Sequence, residues 1–175
     1  MKKLFIIIFI LMPTLIFGQE ITAIGENSEK ERKISYSFIN EYGISIGSFF
    51  QSEFCAEITG VFVNGIRFNK TQDEIGIGIG YEYYHSAKQF FPIFLNYRHY
   101  FPSKKNVKPL VNIGIGARFY VLTPRYEYCS TGLYSTIVAG FKVKAFSFTS
   151  GIFIKSWFID YNYLIGGEIK AGFTF

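Results

Sequence analysis

The chain has 175 residues, a formal net charge of +5, 49% hydrophobic and 20% aromatic residues, 17 glycines and only 18% charged residues. So small a basic surplus, with no basic run interleaved with aromatics, excludes nucleic acid as the expected partner. So much aromatic surface on a small protein fits a chain that faces something other than water.

The first segment, 1–18, reads as a secretory signal. Lys2 and Lys3 form a basic start, 4–12 is an unbroken apolar core, Pro13 breaks it, and Phe17-Gly18 leads into Gln19-Glu20. A core this short is an export signal rather than a spanning helix, with cleavage expected after Gly18. Removing it takes two lysines away and leaves 16 basic against 13 acidic residues, a charge of +3. What remains is one domain's worth of chain. Residues 19–33, with Glu26, Glu29, Lys30, Glu31, Arg32 and Lys33, read as a flexible periplasmic lead-in.

From Ile34 onward no segment is apolar for long enough to make a spanning helix, because the hydrophobicity falls on every second position. About eight strands are predicted, at 41–50 (starting as early as 34), 57–68, 75–84, 90–101, 109–121, 132–144, 146–157 and 163–175. Ile75, Ile77, Ile79, Tyr81 and Tyr83 share a face opposite Gly76, Gly78, Gly80 and Glu82. Val111, Ile113, Ile115, Ala117 and Phe119 likewise oppose Asn112, Gly114, Gly116 and Arg118. Phe146, Phe148, Ile152 and Ile154 oppose Ser147, Thr149, Gly151 and Lys155. A soluble barrel would put its bulky apolar face inside. Here the alternative face holds glycine and charge, so the apolar face is expected outside, towards lipid. The fold class is therefore all-β, a closed antiparallel up-and-down transmembrane barrel occupying 34–175.

With an even strand count both termini fall on one side, expected to be periplasmic. The connections at 51–56, 85–89, 122–131 and 158–162 are then outside loops, and 69–74, 102–108 and the region of Ala145 are periplasmic turns. Aromatics gather near both strand ends: Phe50, Tyr83, Phe91, Phe119 and Tyr163 at one, Phe68, Phe101, Phe173 and Phe175 at the other. Two interfacial girdles have that look. The last strand alternates to the final residue, with Ile169, Ala171, Phe173 and Phe175 on one face and Lys170, Gly172 and Thr174 on the other.

A short signal, about eight alternating strands and a terminal Phe together resemble the small outer-membrane β-barrel proteins, the type that includes the OmpX and OmpA transmembrane domains. The resemblance covers almost all of the chain after the signal and rests on pattern rather than on a diagnostic motif. It implies an integral outer-membrane protein whose terminal aromatics, Phe173 and Phe175, are read by the barrel assembly machinery. It also implies outer-membrane lipid as the surrounding partner and a monomeric state. The outside loops are shorter than those of the adhesin-like members.

Inward-facing charges are the best site candidates. Glu57, Glu82 and Glu168 face Arg98, Arg118 and Lys155 at comparable depths, and an ion-pair network is expected there because unpaired charges in a narrow lumen are costly. Arg67, Lys142 and Lys170 are placed nearer the periplasmic mouth, in reach of water. Such a lumen is either a structural plug or a gated, anion-preferring conduit. His85 beside Ser86, with Glu82 nearby, could suggest an interfacial lipid hydrolase, but adjacent residues of a strand point to opposite faces. His99 falls on the lipid side among girdle aromatics. No His, Cys or carboxylate spacing suits a metal, and no cofactor is expected. Cys55 and Cys129, in the first and third outside loops, could form a disulfide in an oxidising compartment. The pairing requires loop three to cross the mouth, since bridged Cα atoms lie within about 7 Å. Four functions remain open: a non-enzymatic structural or interaction barrel, a small channel, an interfacial lipid enzyme, and a soluble lipocalin-like carrier.

Overall fold

The computed structural model describes residues 34–49, 54–84, 89–103, 106–120, 131–157 and 162–175. The predicted signal and lead-in, Phe50, His85, Ser86 and Cys129 lie outside these residues. Within them the chain forms eight strands: β1 Ile34–Phe49, β2 Phe54–Phe68, β3 Asp73–Tyr84, β4 Gln89–Tyr100, β5 Val107–Tyr120, β6 Thr131–Val143, β7 Phe146–Trp157 and β8 Asn162–Thr174. Each pairs with its sequence neighbour, and β8 returns to β1, closing the barrel. All eight pairings are antiparallel. Closure removes every free sheet edge, which a bilayer interior requires because nothing there can bond an orphaned N–H or C=O.

The closing seam shows how the terminal residues are used. Asn40 pairs with Phe173 in the β1–β8 register. Beyond it, the Phe175 N–H donates to the Phe38 carbonyl at 2.8 Å, and the Phe38 N–H donates back at 3.1 Å. The last residue of the chain is thus bonded by its backbone to the first strand.

Burial alternates with strand period. Ile75, Ile77 and Ile79 are exposed while Glu74, Gly76, Gly78, Gly80 and Glu82 between and beside them are buried. β4, β5 and β8 repeat the rule, with Ile93, Leu95, Ile113, Ile115, Ile165 and Ile169 all exposed. β-branched side chains favour the extended backbone and pack on a pleated surface. On this barrel that surface is the outside. Half or more of each side chain at Ile44, Ile77, Leu95 and Ile152 is uncovered, which is untenable in water as a continuous belt and suited to acyl chains.

The three turns between β2 and β3, β4 and β5, and β6 and β7 lie at the end where β1 begins and β8 ends; we call this the termini end, and the opposite one the far end. Two of the turns hold a non-glycine residue at positive φ: Gln72 at 61° and Lys144 at 55°. Lys144 and Ala145 form a two-residue hairpin loop with the positive φ at its first position, where glycine is ordinarily preferred. Pro92 marks one irregularity in the wall. The β3–β4 register runs to Ile79↔Ile93 and resumes at Glu82↔Phe90, because Pro92 has no N–H to give its neighbour.

Candidate functional site

Among the described residues, the buried charged side chains converge in the lumen. At the far end Glu57 of β2, Glu82 of β3, Arg118 of β5 and Lys155 of β7 each stand two or three residues from a strand end and point inward. All are 2% exposed or less. Lys155 Nζ bonds Glu57 Oε1 and lies 2.8 Å from Glu82 Oε1, and Arg118 Nη2 lies 3.0 Å from Glu82 Oε2. Arg118 also donates to the Tyr84 hydroxyl at 2.6 Å. Two cations and two carboxylates make this quartet neutral, as a dry site demands: a buried charge left unpaired costs several kcal/mol (about 3–5).

Aromatic rings enclose the quartet. Arg118 Cζ sits 3.9 Å from the centroid of Phe90, and Lys155 Nζ is 4.5 Å from that of Phe153. Tyr84, Phe90, Phe153 and Leu164 form a buried cluster around them. These contacts supply cation–π attraction and exclude water, which strengthens the ion pairs they surround.

The other charges form separate groups. Arg98 does not join the far-end quartet; its Nη2 bonds Glu41 Oε1 at 2.6 Å, and Ser147 also donates to that oxygen at 3.4 Å. Glu168 Oε1 is held at 2.7 Å by Lys170 Nζ, two residues along the same strand. Lys170, expected near solvent, is only 3% exposed and belongs to the lumen interior. Its inward parity is as expected, and its stem lies against Gly43 of the neighbouring β1. Arg67 bonds Glu74 through Nε at 3.2 Å and Nη2 at 2.7 Å.

Two things escaped the sequence reading. Glu41 and Glu74 were not recognised as lumen partners, although Glu41 shares odd parity with Ser37, Ile39 and Ser45 and was the available signal. Glu74 lies within β3, not in the turn expected at 69–74. The second is an apolar layer inside the barrel: Ile39, Val61, Val63, Phe94 and Tyr134 pack together, each at most 4% exposed. A lumen of glycine and charge alone is therefore incomplete. Glycine on one wall makes space for a ring from the next. A Cβ on Gly78 would overlap the Phe94 ring, which lies across it and stacks at 4.7 Å on Tyr134.

On the outer face near the termini end, Asp73 Oδ1 accepts from the Tyr97 hydroxyl at 2.8 Å and lies 2.7 Å from His99 Nδ1. The His99 ring meets Phe101 edge-on at 4.8 Å. Phe173 and Phe175 are also outward, 49% and 70% exposed. Cys55 is partly buried against the far-end aromatic cluster; its expected partner Cys129 is not among the described residues. Among the described residues no group of three or more His, Cys, Asp and Glu could hold a metal ion.

No family model matches the chain, and no curated protein matches it in sequence. Solved structures do match in shape. The crystal structure of Neisserial surface protein A (NspA) has a TM-score of 0.58 at 13% identity, over 81% of this chain and 97% of that one. The outer membrane enzyme PagL has a TM-score of 0.52 at 14% identity, over 76% and 98%. The N-terminal β-barrel domain of Pseudomonas aeruginosa OprF follows at 0.47 and 15%, over 79% and 97%. At such identities the first two likenesses concern the fold alone. The chain has the fold of the small eight-stranded outer-membrane β-barrels.

Proposed function

We propose that this protein is an integral outer-membrane barrel with a structural or interaction role, neither a channel nor an enzyme. The observation that carries the reading is the dry layer of Ile39, Val61, Val63, Phe94 and Tyr134 across the middle of the lumen. An ion crossing it would lose its hydration among rings and aliphatic side chains, with little beyond the hydroxyls of Tyr134 and Thr136 to replace it. The fully buried cations of the lumen, Arg98, Arg118, Lys155 and Lys170, are each paired with a carboxylate. The apolar outer belt supports residence in lipid, segment 1–18 would direct export, and Phe173 and Phe175 would serve as the assembly signal.

Planar-bilayer recording from the purified protein tests this. No stable single-channel steps are expected; large, long-lived steps would sink the closed-lumen reading. PagL is an enzyme, so the interfacial-enzyme reading is tested separately. The mass spectrum of lipid A is expected to be identical in cells with and without the gene.

A further inference from the structure

Where the lumen opens at the termini end there is a cavity of about 380 Å³, lined by Arg67, Gln72, Tyr100, Lys108, Lys142 and Lys144 among others. Its side chains come from the ends of β2, β4 and β6, the start of β5 and two turns. Four of these six are cations. One of them, Arg67, is partly neutralised by Glu74, and both of its bonds there end on the single oxygen Oε2. Among the described residues Lys108, Lys142 and Lys144 have no ion pair. Arg67 and Lys142 also share one aromatic ring, at 4.9 and 5.4 Å from the centroid of Tyr100. Like charges drawn to one ring repel, and an anion between them removes the repulsion.

The backbone adds a second sign. The two non-glycine residues at positive φ, Gln72 and Lys144, are both in the lining. Such a conformation is disfavoured for a non-glycine residue. In the Lys144 hairpin, glycine would relieve the strain at the expense of an ammonium group in the cavity.

We propose that this cavity binds a multivalent oxyanion, a phosphate or pyrophosphate group, held by Lys108, Lys142, Lys144 and the remaining edge of Arg67. Three uncompensated positive charges exceed what a single carboxylate would balance. A tetrahedral oxyanion also offers acceptors in several directions to ammonium groups that each donate three hydrogen bonds. The group has two sources, a phosphomonoester lipid headgroup from the leaflet at that end or a soluble phosphate compound.

The test is calorimetric titration of inorganic pyrophosphate into the full-length protein in nanodiscs of zwitterionic lipid, at about 0.15 M ionic strength to screen loose surface attraction. One saturable site is expected. The double variant K108Q/K142Q should weaken it roughly tenfold or more, the loss expected when charge-assisted hydrogen bonds are removed. K70Q, in the same turn as Gln72 but outside the lining, should leave affinity unchanged. A heat-modifiable gel shift checks that each variant is folded. Absence of saturable binding, or equal affinity in the double variant, overturns the proposal. Repeating the titration in discs containing phosphatidic acid, whose headgroup is a phosphomonoester, separates the sources, and either result supports the site. Competition identifies a lipid headgroup as the occupant, and unchanged affinity identifies a soluble oxyanion.

Discussion

At the far end of the lumen Lys155 is fully buried and bonded to two carboxylates, whereas at the termini end Lys108 and Lys144 are exposed and Lys142 half-buried. The same side chain is under opposite rules about 26 Å apart along the wall, the rise of the eight residues of β7 from Ser147, the neighbour of Lys142, to Lys155. In the dry half, rings from Tyr84, Phe90 and Phe153 exclude solvent, so every charge must be answered by another. In the wet half, water answers the charge, and an excess of one sign is tolerated. Pairing follows from burial, not from residue type, and a surplus that survives near water is free to bind something.

The largest way to break this contrast is Lys155→Met, which takes the ion pair from Glu57 and leaves Glu82 with Arg118 alone, one negative charge in excess in the dry half. A loss of about 3–5 kcal/mol is expected, read by equilibrium urea unfolding in lipid vesicles. Adding Glu82→Gln should recover part of it, since the two residues are in contact. A loss below about 1 kcal/mol would mean that water reaches the quartet, and the contrast would fail.

The wall between the two ends sharpens it. Ile77 is 60% exposed in the middle of β3, and Ile77→Lys should cost about 2–4 kcal/mol if that face meets acyl chains near the midplane. An effect near zero in vesicles would contradict a lipid-facing belt. One residue on, Gly78→Val pushes two methyl groups into the Phe94 ring, with an expected cost of about 1–3 kcal/mol. The same unfolding titration reads it, and a neutral result would show the central layer to be loosely packed.

Smallest of all, Lys144→Gly in the wet half should change stability by no more than about 1 kcal/mol, in the stabilising direction, because it relieves a positive φ and abandons no buried partner. Destabilisation instead would show that Lys144 has a structural task at the mouth.

Much of this architecture was legible in the residues. Strand boundaries predicted from alternation at 75–84, 90–101 and 146–157 lie within two residues of β3, β4 and β7. A period of two is a local property, enforced wherever one face meets lipid and the other the axis. The first strand was harder, because Tyr36, Phe38 and Tyr42 dilute its pattern with large side chains. The partners of the charges were not legible. Glu57 and Lys155 are 98 residues apart, and Arg98 and Glu41 are 57 apart. Parity says that such groups point inward, but not how high each stands on the axis.

The sequence alone therefore determined the all-β class, the membrane-facing side and the number of crossings, because alternation and turn spacing are written into neighbouring residues. Only the closed barrel decided which carboxylate meets which cation, that Phe94 lies over Gly78, and that Lys170 is buried while Lys142 reaches the mouth. Strand tilt and stagger bring distant residues to the same height, and those are properties of the whole cylinder rather than of any one strand.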